Sequence, residues 1–258
     1  MISIKSKKEI DCMRRSGDIL ARCFIAVESM ISEGVRTADI DRVAAEFIRR
    51  SNASPSFFGV KGFVEGAPDY PASACISINE EVIHGIPGPR ILRSGDIVSI
   101  DMGVYYDGYH SDMARTYIIG DASPLARDLV RVTEESFWAG LKSVAVGMRV
   151  SDISRSIQRH VEAAGFSSVR EYVGHGIGAE LHEEPQIPNF VEKRSRRGQR
   201  LTNGMTLAIE PMVNSGGYDV EILPDKWTVI TKDRSLSAHY ENTVLVNGDE
   251  PQILTAAI

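Results

Sequence analysis

Two stretches far apart in the chain repeat one pattern. "GDIVSID" (95–101) and "GMTLAIE" (204–210) each run from a glycine through β-forming residues to an acid six positions on, at an offset of 109. A second echo precedes each of them. "GVRTADID" (34–41) returns as "GMRVSDIS" (147–154), keeping Gly, Arg, Asp and Ile in register at an offset of 113. Two echoes in the same order at nearly the same spacing indicate an internal duplication. The 258 residues are close to the limit for one hydrophobic core, and no Pro/Gly/Ser-rich linker divides them. The halves, about 1–120 and 121–258, are therefore expected to share a sheet within a single domain.

Hydrophobic periodicity fills in each half. Over 7–31, Ile10, Met13, Leu20, Phe24, Val27 and Ile31 recur at helical spacing. A second helix is expected to start after Thr37 as its cap and to bury Ile40, Val43, Phe47 and Ile48. In the second half Ser123 and Pro124 give an N-cap and a first helical position, with Leu125, Leu129, Val132 and Leu141 on the apolar face. Strand-like segments, "SACISIN" and "GDIVSIDMGVYY", follow the first helix pair. The fold class is α+β, with pseudo-twofold symmetry.

Asp107-Gly108 is a strong type I′ turn signal between alternating segments. A hairpin closed there faces Tyr106 with Tyr109, Gly103 with Asp112, and Asp101 with Ala114. Asp101 and Asp112 then become diagonal neighbours on one face, with only Gly103 between them. Two such carboxylates repel, and one protonates unless a cation lies between them. The alternative is a pair of solvent-exposed hairpin acids. The second half supplies two more acids at the edges of apolar strands, Glu210 in "LAIEP" and Glu241 in "SAHYENTVLV". The duplication aligns Glu210 with Asp101, which places the four acids near the pseudo-twofold axis. Glycines on both sides of His175 in "GHGIG" allow close backbone approach. Four carboxylates and a neutral imidazole carry −4, which two divalent cations balance, whereas unpaired buried charge costs several kcal/mol per ion. Oxygen-rich ligation favours Mn, Fe or Co over a structural zinc.

At this point the sequence resembles the short, type I methionine aminopeptidases. The matching motifs run in order along nearly the whole chain: "VIHGIP" (82–87), "SIDMG", "SDMART", "GHGIG", "LHEEPQIPN" (181–189), "IEPMV" (209–213) and "WTVITKDRSLSAHYENT" (227–243). The type II form carries a long insertion between the positions of His182 and Glu210, where 27 residues intervene here. The resemblance implies the pita-bread fold and removal of the initiator methionine from nascent proteins when the second residue is small. It implies five metal ligands, Asp101, Asp112, His175, Glu210 and Glu241, holding two divalent ions (Co, Mn, Fe or Zn) whose bridging hydroxide attacks the scissile carbonyl. Glu210 then manages the proton, His182 polarises the carbonyl, and His84 contacts the scissile amide nitrogen or a nearby substrate group. Tyr70 matches a pocket aromatic of the family. "PSFFGVKGFVEGAPDYPAS" departs from the family by several extra residues, and Phe63 within it is a candidate stand-in for a second pocket aromatic. His239 alternates with Glu241 where relatives usually carry Gln, which leaves a supporting role open. Cys75, Trp227 and Met212 read as core or as pocket wall.

Rival readings remain open in the sequence. Prolidases and aminopeptidase P use similar ligands on the same fold but ordinarily carry an extra N-terminal domain, and metal-free binding modules of this fold should show broken ligand positions. Net charge −6 and a pI of about 5.6 argue against DNA or an acidic membrane as partner. No apolar run approaches the ~20 residues of a membrane span. "MISIKSKKEIDCMRRSG" lacks a signal-peptide core. Cys12 and Cys23 fall on one helix roughly 16 Å apart along its axis, too far for a disulfide. Reduced thiols point to the cytoplasm. The basic run "EKRSRRGQR" (192–200) reads as a solvated loop or as a weak ribosomal RNA contact, and the chain is expected to be a monomer.

Overall fold

The structure is a computed structural model, in which residues 2–191 and 198–257 are described. Most of the basic run, 192–197, falls outside the described residues. Helix α1 (Lys7–Glu28) opens on a capping box: Ser6 accepts the Glu9 N–H while the Glu9 carboxylate accepts the Ser6 N–H. It buries Met13, Leu20, Phe24 and Val27, as the periodicity requires. Helix α2 (Thr37–Arg50) buries Ile40 and Ile48, but Val43 and Phe47 are half-buried and Ala44 and Ala45 fill the inner stripe. Thr37 does not cap α2. The N-cap is Arg36, and the Thr37 hydroxyl instead ties the helix start to Gly88, donating to its carbonyl (3.0 Å) and accepting its N–H (2.8 Å).

Helix α3 (Pro124–Leu141) is capped by Ser123 as expected. Leu125 is 50% exposed rather than inward-facing, because Ala126, one position on, takes the buried place. Helix α4 (Val150–Ala163) completes the second pair. The duplication repeats bond by bond. Gly34 and Gly147 both adopt φ of 91° and donate to Leu92 and Leu201 at 2.9 Å, and Arg36 and Arg149 begin α2 and α4.

A nine-stranded antiparallel sheet joins both halves. Its path runs Ser54–Pro55, Ile97–Tyr106, Tyr109–Ile118, Glu241–Leu245, Thr206–Ile209, Gly174–Gly176 and Glu183–Ile187. Ala74–Ile78 and Gln252–Ile253 pair on its flanks. The first-half core packs Leu20, Phe24, Ile40 and Ile48 on Ile76, Ile100 and Met102. The second packs Leu129, Phe137, Ile153 and Ile157 on Leu207, Ile209 and Val244. Each helix pair thus covers its own half of the sheet. Among the described residues, no helix is long and apolar enough to cross a membrane.

Candidate metal centre and active site

The central hairpin closes as expected. Asp107 and Gly108 take φ of 51° and 88°, and the register pairs Asp101 with Ala114 and Gly103 with Asp112. The space beside Gly103 belongs to Ser56 and Phe57: a Cβ there would meet Ser56 Cβ at 2.7 Å. Register across the sheet then gathers the other acids. Glu241 pairs with the same Ala114, so Asp101, Ala114 and Glu241 form one row across three strands. His175 pairs with Ala208, which also pairs with Thr243, two residues from Glu241 and hence on the same face. Thr243 locks this row to the hairpin by exchanging hydrogen bonds with the Asp112 backbone at 2.9 and 3.0 Å. Glu210 ends the Thr206–Ile209 strand, and the Asn189 side chain donates to its carbonyl at 2.9 Å.

One ligand atom each from Asp112, His175 and Glu241 lies within 4.8 Å of the others. His175 Nε2 is 3.5 Å from Glu210 Oε1. The His175 Nδ1 lies 2.8 Å from the Gly176 carbonyl, a bond it can only donate, so the Nε2 lone pair is left facing the acids. Burial pushes Asp101 up to about 7. Burial, and then the charges of Glu241 and Asp101, hold Asp112 far above the carboxylate range. Glu210 and Glu241 are raised in the same way, by burial first and their acidic neighbours second. Burial lowers His175 to about 3, which keeps it neutral. Among the described residues no lysine or arginine pairs with the four carboxylates, and Asp101 Oδ1 and Glu241 Oε1 are buried without a hydrogen-bond partner. Oxygen donors left unpaired at this density, beside a neutral imidazole, fit divalent cations.

This centre forms the floor of a cavity of about 540 Å³. His84 and His182 stand on its walls. His84 adopts φ of 58°, and its Nδ1 is buried without a partner. The exposed His182 ring packs edge-on to His175, centroids 4.5 Å apart. Tyr70 is buried and pinned by its hydroxyl, which donates to the Ala74 and Gly85 carbonyls. Its ring meets Trp227 at 5.0 Å. Cys75 and Trp227 are buried and also line the cavity, whereas Met212 lies in a separate core cluster.

Sequence reasoning left His239 open, and the structure brings it to the centre. It is 1% exposed, its Nε2 has no hydrogen-bond partner, and that atom lies 3.7 Å from Glu210 Oε2. Its alternation with Glu241 was the available signal. Asn189 and Thr243 gave none, since their roles depend on register between distant strands.

The pattern that defines metallopeptidase family M24 matches residues 11–248. A methionine aminopeptidase of Clostridium perfringens is 51% identical over 255 residues, covering 99% of both chains. The crystal structure of a methionine aminopeptidase from Thermotoga maritima superposes with a TM-score of 0.93 at 40% identity, covering 99% of this chain and 100% of that one. The prolidase of Pyrococcus furiosus shares the fold at a TM-score of 0.77 and 22% identity, with 98% of this chain matched to 65% of that one. The pita-bread architecture expected from the sequence is thus the architecture observed.

Proposed function

The chain belongs to metallopeptidase family M24, and from that premise we propose that it removes the N-terminal methionine from nascent polypeptides whose second residue is small. The observation that carries this reading is the floor of the cavity: four carboxylates, Asp112 and Glu241 fully buried and Asp101 and Glu210 partly so, beside His175 and beneath aromatic walls. Asp101, Asp112, His175, Glu210 and Glu241 would hold two divalent ions, with Co, Mn, Fe or Zn all compatible with the donors. Such ions, when bound, supply Lewis acidity and lower the pKa of water into the neutral range.

The chain's own groups do the rest. The free α-amine of a substrate, as a neutral donor, would be held at this centre, which confines cleavage to the chain terminus. Tyr70 and Trp227 offer an apolar wall to the methionine side chain. Glu210 accepts the proton released by the attacking water. His182, at the cavity mouth, donates a hydrogen bond to the developing oxyanion. The unpartnered Nδ1 of His84 is available to the scissile amide or its neighbour.

Residues 1–258 act as one catalytic unit in this reading, a view supported by the sheet that takes strands from both halves. Three buried, free cysteines support a reducing compartment, the cytoplasm. The protein is taken as a monomer.

The test is metal-stripped protein reconstituted with Mn(II) or Co(II) and given peptides beginning Met-Ala, Met-Lys, Leu-Ala and Ala-Pro, read by mass spectrometry. Metal-dependent loss of Met from Met-Ala peptides alone is the expected result. Cleavage of Ala-Pro instead would keep the centre and replace the substrate with that of a proline-specific enzyme. Binding of metal without cleavage of any peptide would turn the chain into a binding module.

A further inference from the structure

Lys5 carries a charge that the proposed chemistry does not use, yet its side chain is only 2% exposed. A lysine is almost never buried so fully without a partner. Here the partner is Glu183, whose Oε2 accepts from the Lys5 ammonium at 2.5 Å across 178 positions of sequence. Glu183 follows His182 and lines the same cavity. Its other oxygen, Oε1, accepts the Glu180 N–H at 3.3 Å. Gly178 leaves the room for the ammonium, because a Cβ there would lie 2.4 Å from Lys5 Cε and 2.5 Å from Glu183 Oε1.

Residues 177–182 form the loop that joins Gly174–Gly176 to Glu183–Ile187, and they are held at each end. At the start, the Thr206 hydroxyl donates to the Ile177 carbonyl at 2.5 Å, and the Ile177 N–H donates to the Thr206 carbonyl at 3.2 Å. Within the loop, the Gly178 N–H donates to the Glu180 carbonyl (3.0 Å) while the Gly178 carbonyl accepts the His110 N–H (2.8 Å). At the end, Glu183 is held by Lys5, whose own N–H donates to the Gly204 carbonyl at 2.8 Å, two residues before Thr206. Both ends are thus fastened at the strand that runs on into Glu210. His182 sits on this loop, exposed, with the edge of the His175 ring against it and no hydrogen-bond partner among the described residues. Its place over the centre is therefore set by the backbone that carries it.

We propose that Lys5 is a positioning residue, which fixes the 177–182 loop through Glu183 and so holds His182 where the oxyanion develops. This rests on the aminopeptidase reading, in which His182 donates to that oxyanion. Such a donor acts only in the right geometry, and a displacement of about 1 Å can cost about 100-fold in rate. A buried ion pair resists the displacement, because parting the two charges would leave each of them buried and unpaired.

The test uses Lys5→Met, which keeps the buried stem and removes the charge. Because the Glu183 carboxylate left behind can unfold the chain, the double variant Lys5→Met/Glu183→Gln, with neither charge, is made alongside. Each is compared with the wild type, with and without His182→Ala. Two readouts are used: kcat and KM on a Met-Ala peptide with Mn(II), and hydrogen–deuterium exchange over 176–183 in the metal-free protein. The folded variants are expected to exchange faster over 176–183, to lose about 10–100-fold in kcat and to keep KM within about twofold. Where His182 is already Ala, kcat should fall no further. Wild-type kcat, or unchanged exchange over 176–183, in the folded double variant would overturn the proposal. A kcat loss of the same size in the His182→Ala background would also overturn it, since Lys5 would then act by another route. A wild type that cleaves no Met peptide, with exchange still raised in the double variant, would refute the activity and leave the anchoring standing. An inactive wild type with unchanged exchange in the double variant would refute both.

Discussion

Stripping the metal from this protein should make its stability fall as pH rises from 7 to 8. The four acids at the centre have pKa values raised above those of the unfolded chain by burial and by one another's charge, Asp101 to about 7 and Asp112, Glu210 and Glu241 well above the ordinary carboxylate range. Such groups favour folding most at low pH and lose that contribution as pH rises through their folded values. The buried histidines have lowered values, about 4 for His84 and His110 and about 3 for His175 and His239. Their contribution is complete above the unfolded imidazole value, near 6.5, and is lost below it. The two sets oppose each other between about pH 4.5 and 6.5, and above 7 only the acids still act. Each acid that keeps its proton in the folded state then costs about 1.36 kcal/mol per pH unit. For 258 residues at about 2.1 cal/mol/K each, the unfolding entropy is about 0.54 kcal/mol/K. One retained proton therefore lowers Tm by about 2.5 °C between pH 7 and 8. The assay is differential scanning calorimetry of chelator-treated protein at constant ionic strength, repeated with saturating Mn(II), which should raise Tm and flatten the slope by ionising the acids. The window ends near pH 8, before unfolded thiols ionise, because buried Cys23 and Cys75 would add a fall of their own. A metal-free Tm that stays level or rises across this window would refute the convergence of unneutralised acids.

Two further substitutions probe separate links in the argument. His182→Ala removes the cavity-mouth donor without touching the core, so kcat on Met-Ala should drop by about 10²–10³-fold while Mn(II) affinity, read by calorimetry, changes little. Gly103→Ala forces a methyl to within 2.7 Å of Ser56 Cβ and 3.1 Å of Phe57, and overpacking of this kind costs about 1–3 kcal/mol. Its Tm should fall by about 2–6 °C, and an unchanged Tm would mean that the hairpin can shift away from Ser56.

The convergence of Asp101 and Asp112 was legible in the sequence because it is built from strand register. A two-residue turn at Asp107-Gly108 leaves one way to pair its flanking strands, and period-2 alternation then fixes which side chains share a face. Nothing beyond residues 97–118 is needed to bring Asp101 and Asp112 together. The step to Glu210 used the internal echo, which aligns it with Asp101, whereas Glu241 was marked by its place at the edge of an apolar strand and by the resemblance. Helix caps were less secure. Thr37 looks like a cap by residue type, but its hydroxyl could serve either the helix or the neighbouring loop, and the local sequence does not show that Gly88 lies within reach. Leu125 failed for a related reason: at the first turn of α3 a one-residue rotation decides between exposure and burial, and Ala126 fills the inward place with less volume.

The residues of the pocket wall, Tyr70 and Phe63, were legible only through the resemblance, and the anchoring of the 61–69 loop was not legible at all. No periodicity runs through 61–69, and its position depends on carbonyl–ammonium and carbonyl–indole bonds to Lys226 and Trp227, some 160 residues away. Those contacts are made to backbone carbonyls, which every residue carries, so the loop's own sequence does not advertise them. A strand residue at the centre cannot slip by one position without turning its carboxylate to the opposite face. A loop tied through its main chain can change length and side chains as long as its carbonyls still reach the turn.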